Sequence, residues 1–119
     1  MAWTFAADRP VYLQIADIIK KKVLSGEYKA GEQLMTVRQL ALEAAVNPNT
    51  VQRAYTELEN DGIIVPKSTI GRFVTEDAAI VETCRKKMAE DIVKAFVKEM
   101  RQLSVSAEQA IEMIKEENL

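Results

Sequence analysis

The chain has 119 residues, with 16 Lys+Arg against 18 Asp+Glu, one Cys and no His. That length holds one domain with a real core, or one domain and a short appendage. Without His, and with Cys84 as the lone thiol, one chain cannot assemble a His/Cys metal cluster or a Ser-His-Asp or Cys-His catalytic group. An enzyme is therefore not expected, and neither a cofactor nor a metal. The formal net charge of −2 argues mildly against a nucleic-acid partner until the charges are placed along the chain.

A single Cys fits a reducing compartment, so a cytoplasmic protein is expected. Residues 1–8 are apolar but lack a basic start, which does not read as a signal peptide. No window reaches the ~18 uncharged apolar residues of a membrane span. Charge is uneven. Residues 1–75 carry nine basic and eight acidic residues, net +1, and residues 76–119 carry seven basic and ten acidic, net −3. Every Pro and Gly lies before position 72. Two parts are expected, 1–75 and 76–119, the first cut into short elements and the second free of helix breakers.

Pro10 is placed to open a helix over about 10–25, where Val11, Ile15, Ile18, Ile19 and Val23 follow helical spacing and Gly26 gives a stop. Residues 27–32 read as a loop. Thr36 and Gln39 form a capping box for a short helix, about 37–45, with Val37, Leu40, Ala41 and Ala44 on its apolar side. Asn47 caps and Pro48 begins a third helix, about 48–61, with Val51, Ala54, Tyr55 and Leu58 inward. After Gly62, Ile63–Val65 and Arg72–Thr75 read as a hairpin with a tip of five or six residues. A long helix follows, about 77–103. Its apolar stripe is Val81, Cys84, Met88, Ile92, Phe96, Met100 and Leu103. Ser106 and Gln109 cap a last helix, about 107–117. The fold class is mostly α with a small β-hairpin: an N-terminal winged helix-turn-helix followed by a two-helix C-terminal dimerisation segment.

In a helix-turn-helix the second helix places its N-terminal residues in the DNA major groove. Here that turn offers Asn47, Asn49, Thr50, Gln52 and Arg53. Asn and Gln can meet adenine in bidentate fashion, Arg can meet guanine, and Thr a thymine methyl. The first turn carries no acid, which suits phosphate at the positive helix end.

These segments resemble the GntR family of bacterial transcription regulators. The resemblance rests on Pro10-Val-Tyr-x-Gln-Ile15, Gly26-x-Tyr28-x-x-Gly31-x-x-Leu34, Val37-Arg38-x-Leu40-Ala41, Val46-Asn-Pro-Asn-Thr-Val51-x-x-Ala54-Tyr55-x-x-Leu58-Glu59, Gly62-Ile-Ile64 and Gly71-x-Phe73-Val74. The Pro-Val-Tyr-x-Gln start and the short C-terminal part are similar to the YtrA subfamily. The resemblance implies DNA contacts from Arg38 beside Thr36, from the start of the third helix, and from a wing tip of Lys67, Ser68, Thr69, Gly71 and Arg72. It also implies a homodimer on double-stranded operator DNA. Two positions depart from the family pattern: Met35 replaces a Pro, and Thr69 replaces the first Gly of a Gly-x-Gly wing. A Cβ at Thr69 would restrict a positive φ.

Other features have plainer readings. Lys20–Lys22 reads as a solvated face. Tyr12 and Tyr55 read as core residues with wet hydroxyls, Cys84 as a buried small hydrophobe, and the Met residues as packing. Trp3 and Phe5 form a short arm that docks on the body or on a partner subunit. The long stripe holds seven large residues, each worth roughly 1.5–3 kcal/mol when buried. One ten-residue helix cannot cover them, so a two-fold dimer is expected. The expected function is a sequence-specific repressor on an inverted-repeat operator. An unidentified small-molecule effector would act between the two parts or at the dimer helices. The alternative is a winged-helix protein-interaction module.

Overall fold

A computed structural model of the protein describes residues 3–117. Its helices are α1 (Val11–Leu24), α2 (Val37–Ala44), α3 (Pro48–Asn60), α4 (Ala78–Gln102) and α5 (Ala107–Glu116), with strands β1 (Ile64–Lys67) and β2 (Gly71–Val74) between α3 and α4. The chain divides into two compact units between Cys84 and Arg85.

In the first unit α1 and α2 both pack on α3. Ile15 and Ile19 of α1, Leu40 and Ala41 of α2, and Val51, Ala54, Tyr55 and Leu58 of α3 are all buried, and Ile63, Ile64 and Val74 close the base. Helix boundaries follow local chemistry. Pro10 stands at the N-cap of α1 with extended ψ of 135 and not inside the first turn as expected. Thr36 makes the expected capping box with Gln39. The Asn47 side chain accepts from the Asn49 amide at 2.8 Å, with Pro48 behind it. The turn between α2 and α3 rests on Ala45, which takes the left-handed conformation (φ 55) without being glycine.

The hairpin pairs Ile64 with Val74 through to Lys67 with Gly71. Only Ser68, Thr69 and Ile70 lie outside it, so the tip is three residues and shorter than the sequence suggested. Positive φ falls at Ser68 (52) and Gly71 (137), and Thr69 is not strained. Gly71 has a second constraint, because a Cβ there would stand 3.0 Å from the Gln33 side-chain nitrogen. The α1–α2 connection is also more ordered than a loop. Gly31 N donates to Val74 O, Val74 N to Glu32 O and Leu34 N to Arg72 O. Gln33 bridges Phe73, so this segment lines the free edge of β2 as a third extended stretch.

Three other expectations are corrected. The Tyr55 hydroxyl is not wet: it donates to the Met35 carbonyl at 2.6 Å. Cys84 is half-buried, with its thiol 3.9 Å from the Asp61 carbonyl, and is not fully enclosed. Lys20 and Lys22 are not simply solvated, since they pair with Asp61 at 2.7 Å and Glu27 at 2.9 Å. The arm docks on its own chain, where the Trp3 indole donates to Glu43 and stacks obliquely near Phe5.

The second unit holds most of α4 and all of α5. Helix α4 ends at Gln102, one residue short of Leu103, and Ser104 turns the chain with φ of 59. Ser106 and Gln109 form the expected capping box of α5. Ala110 is buried near Val97, Met100 and Val105. No described residue of α4 is buried. The first unit is a winged helix-turn-helix: α2, the turn and α3 form the motif, and the β1–β2 hairpin is the wing.

Candidate nucleic-acid interface

The side chains expected to contact DNA lie in the first unit, at the start of α2, the start of α3 and the wing. Arg38 is exposed in the first turn of α2. Thr36 precedes it, but its hydroxyl accepts the Gln39 amide at 3.1 Å and is occupied by capping. Asn47 spends its side-chain oxygen in the same way, leaving its NH2 as the outward group. Asn49 is exposed and Thr50 half-exposed. No acidic residue occupies the first turn of α3, so the positive end of that helix carries no competing charge.

Gln52 and Arg53 are exposed on the next turn of α3. Neither hangs free. The Arg53 guanidinium carbon stands 3.9 Å from the centre of the Tyr12 ring of α1, a stacked cation–π contact. The Gln52 side-chain oxygen accepts from Arg72 of β2 at 3.3 Å. Arg72 in turn meets Glu59 at 3.4 Å and lies 5.2 Å from the Tyr55 ring centre. The wing residue expected to reach outward is thus folded back onto α3. At the tip, Ser68, Thr69 and Ile70 are exposed, and Lys67 lies over the Phe73 ring at 4.7 Å. The Gln33 amide holds the Ile70 carbonyl at 3.1 Å, which fixes the tip from its base.

Sequence reasoning missed Tyr12, Gln33 and Glu59 as parts of this surface. Tyr12 carried a weak signal: it lies one helical turn before buried Ile15 and Ala16, at the rim of the α1–α3 contact. Gln33 and Glu59 carried none, because their partners lie 37 and 13 residues away.

The Tyr55 phenol, beneath Arg72, is pushed up by burial to about 12 from 10.0, with the nearby guanidinium opposing the rise. Among the described residues, no group of three or more His, Cys, Asp or Glu is placed to hold a metal ion. Among the described residues, no helix is long and apolar enough to cross a membrane.

The apolar stripe expected to form a dimer divides between the units. Val81 and Cys84 are half-buried in the first. In the second, Met88, Phe96 and Met100 are half-exposed, while Ile92 is 59% and Leu103 72% exposed.

A family model described as bacterial regulatory proteins, gntR family, matches residues 11–74, more than half of the chain. The HTH-type transcriptional regulator YhcF of Bacillus subtilis is 39% identical, covering 93% of this chain and 92% of its own. The HTH-type transcriptional repressor YtrA of the same organism is 37% identical over 90% of this chain and 83% of its own. Among solved structures, a GntR family transcriptional regulator from Listeria monocytogenes superposes with a TM-score of 0.88 at 37% identity, covering 94% of this chain and 98% of that one.

Proposed function

This chain belongs to the GntR family of bacterial regulatory proteins, and from that premise we propose that it is a cytoplasmic, sequence-specific DNA-binding repressor. It occupies an inverted-repeat operator as a homodimer and excludes polymerase. The observation that carries the reading is the start of α3: an acid-free turn whose Asn49, Thr50, Gln52 and Arg53 stand outward on a helix anchored through Val51, Ala54, Tyr55 and Leu58. That is the position from which such a helix enters the major groove. The similarity to the YtrA repressor supports the direction of regulation.

Each side chain has a role. Arg53, flattened on Tyr12, presents a preorganised fork for guanine. Arg38 at the head of α2 and Lys67, Ser68 and Thr69 at the wing meet phosphate and sugar. The dimer forms through the apolar stripe from Val81 to Leu103 and sets two reading heads about 34 Å, or a multiple of it, apart. An effector, if the operator is ligand-controlled, acts by changing that separation.

The test is an electrophoretic mobility shift with sites selected from random duplex DNA. Specific binding should weaken steeply with salt, each neutralised phosphate adding a slope of about −0.9 in log K against log [salt]. Arg38→Ala should lower that slope by about one without changing the selected sequence. Arg53→Ala should cost about 1–3 kcal/mol and relax one base pair in each half-site. Duplex binding that is absent, or insensitive to salt, would instead favour the protein-interaction reading of this winged helix.

A further inference from the structure

Within that DNA-reading function, the geometry points to Arg72 as a positioning residue that decides which end of the Gln52 amide meets the base. Arg72 lies on β2 and Gln52 on α3, and their contact crosses the seam between wing and reading helix. A guanidinium has only N–H donors. The amide atom facing it at 3.3 Å is therefore the Gln52 oxygen, whatever the identity of the base outside. Arg72 is fixed on its other sides. Its Nε meets the Glu59 carboxylate at 3.4 Å, and its guanidinium lies 5.2 Å from the Tyr55 ring centre. Glu59 and Tyr55 both belong to α3, so the guanidinium is braced against the helix that it serves. Its side chain is only 23% exposed.

The consequence concerns base choice. A Gln that reads adenine in bidentate fashion must lay its oxygen against N6 and its NH2 against N7. Here the oxygen is drawn back toward Arg72. Among the described residues the Gln52 NH2 has no acceptor, so the amide meets the groove as a donor. Donors match the acceptor edge of guanine, N7 and O6, better than the mixed edge of adenine. Gln52 thereby selects guanine at its base pair, and Arg72 imposes that choice without touching DNA.

Site selection from randomised duplex DNA with the full chain tests this, using wild type, Gln52→Ala, Arg72→Met and Glu59→Gln. Gln52→Ala identifies the base pair that Gln52 reads. Wild type should prefer guanine over adenine there by about tenfold. Arg72→Met should bring the two within about twofold at that pair and leave the other positions unchanged. Glu59→Gln keeps every donor of Arg72 but loosens its anchor, so it should shift the same preference part of the way. That variant carries the test should Arg72→Met fold poorly by circular dichroism. Adenine already preferred by wild type overturns the inference. So does an Arg72→Met protein that weakens on all sites alike with its preference intact, which is the behaviour of a phosphate contact. An unchanged preference in Glu59→Gln has the same force. Wild type that enriches no sequence overturns the DNA-reading function itself, and this inference with it.

Discussion

Tyr55 ties the core to the reading surface. It is 1% exposed, its hydroxyl holds the Met35 carbonyl, and its ring lies beneath Arg72. Tyr55→Phe removes the donor and leaves that carbonyl unpaired in a partly buried site, so stability should fall by about 1–2 kcal/mol in urea unfolding. The phenol is also a pH lever. Burial raises it to about 12 in the folded state, above its ordinary 10.0. The unfolded chain releases this proton first, so the stabilisation is complete below pH 10 and is lost as pH rises toward 12. Roughly 2–3 kcal/mol should disappear across that window, and the Tyr55→Phe protein should show a flatter profile. At this scale the caps were legible, because Thr36, Asn47 and Ser106 each bond an amide two or three residues ahead. The Gln52–Arg72–Glu59 chain was not, because residues 20 and 13 positions apart meet only after the wing folds over α3.

Among the elements, the helices followed from periodicity and punctuation, and their ends moved by one residue at most. The turn between α2 and α3 shows what such signals omit. Ala45 carries φ of 55 and ψ of 49, a conformation that costs a residue with a Cβ roughly 1–2 kcal/mol. Nothing in an Ala predicts that. The Val46 amide bonding the Ala41 carbonyl at 3.0 Å fixes the turn and compels it. Ala45→Gly should therefore raise stability by about 0.5–1 kcal/mol, the relief of strain exceeding the added freedom of the unfolded chain. A higher melting temperature with unchanged operator affinity is the expected result; a lower one would show that the strain is absent. The hairpin was foreseen, but its tip length and third extended edge were not. Both depend on hydrogen bonds between residues 31–34 and β2, which have no local signature.

For the whole molecule, the question is what the second unit does with its apolar surface. Ile92, Val93, Leu103, Ile111 and Met113 are all at least half exposed. Each is worth roughly 1.5–3 kcal/mol if buried, which is large beside a typical domain stability of about 5–15 kcal/mol. A second copy of the chain is the partner that the proposed function requires. Sedimentation at micromolar concentration should give a dimer. Ile92→Glu combined with Val93→Lys should give a monomer that keeps its helical content and loses high-affinity operator binding. A wild-type monomer under those conditions would remove the two-half-site mechanism. The net charge of −2 is no obstacle to DNA at this scale, because residues 1–75 carry net +1.

The sequence by itself determined the order of elements, the inward faces, the caps and the family. All of these rest on interactions within a turn or two of chain, or on patterns that spacing preserves. Only the tertiary structure decided how the reading side chains are held: Arg53 on Tyr12, Gln52 on Arg72, the wing tip on Gln33 and the Tyr55 hydroxyl on Met35. Each is a contact between elements made by a side chain with several rotamers. Spacing along the chain does not choose among rotamers, and packing does.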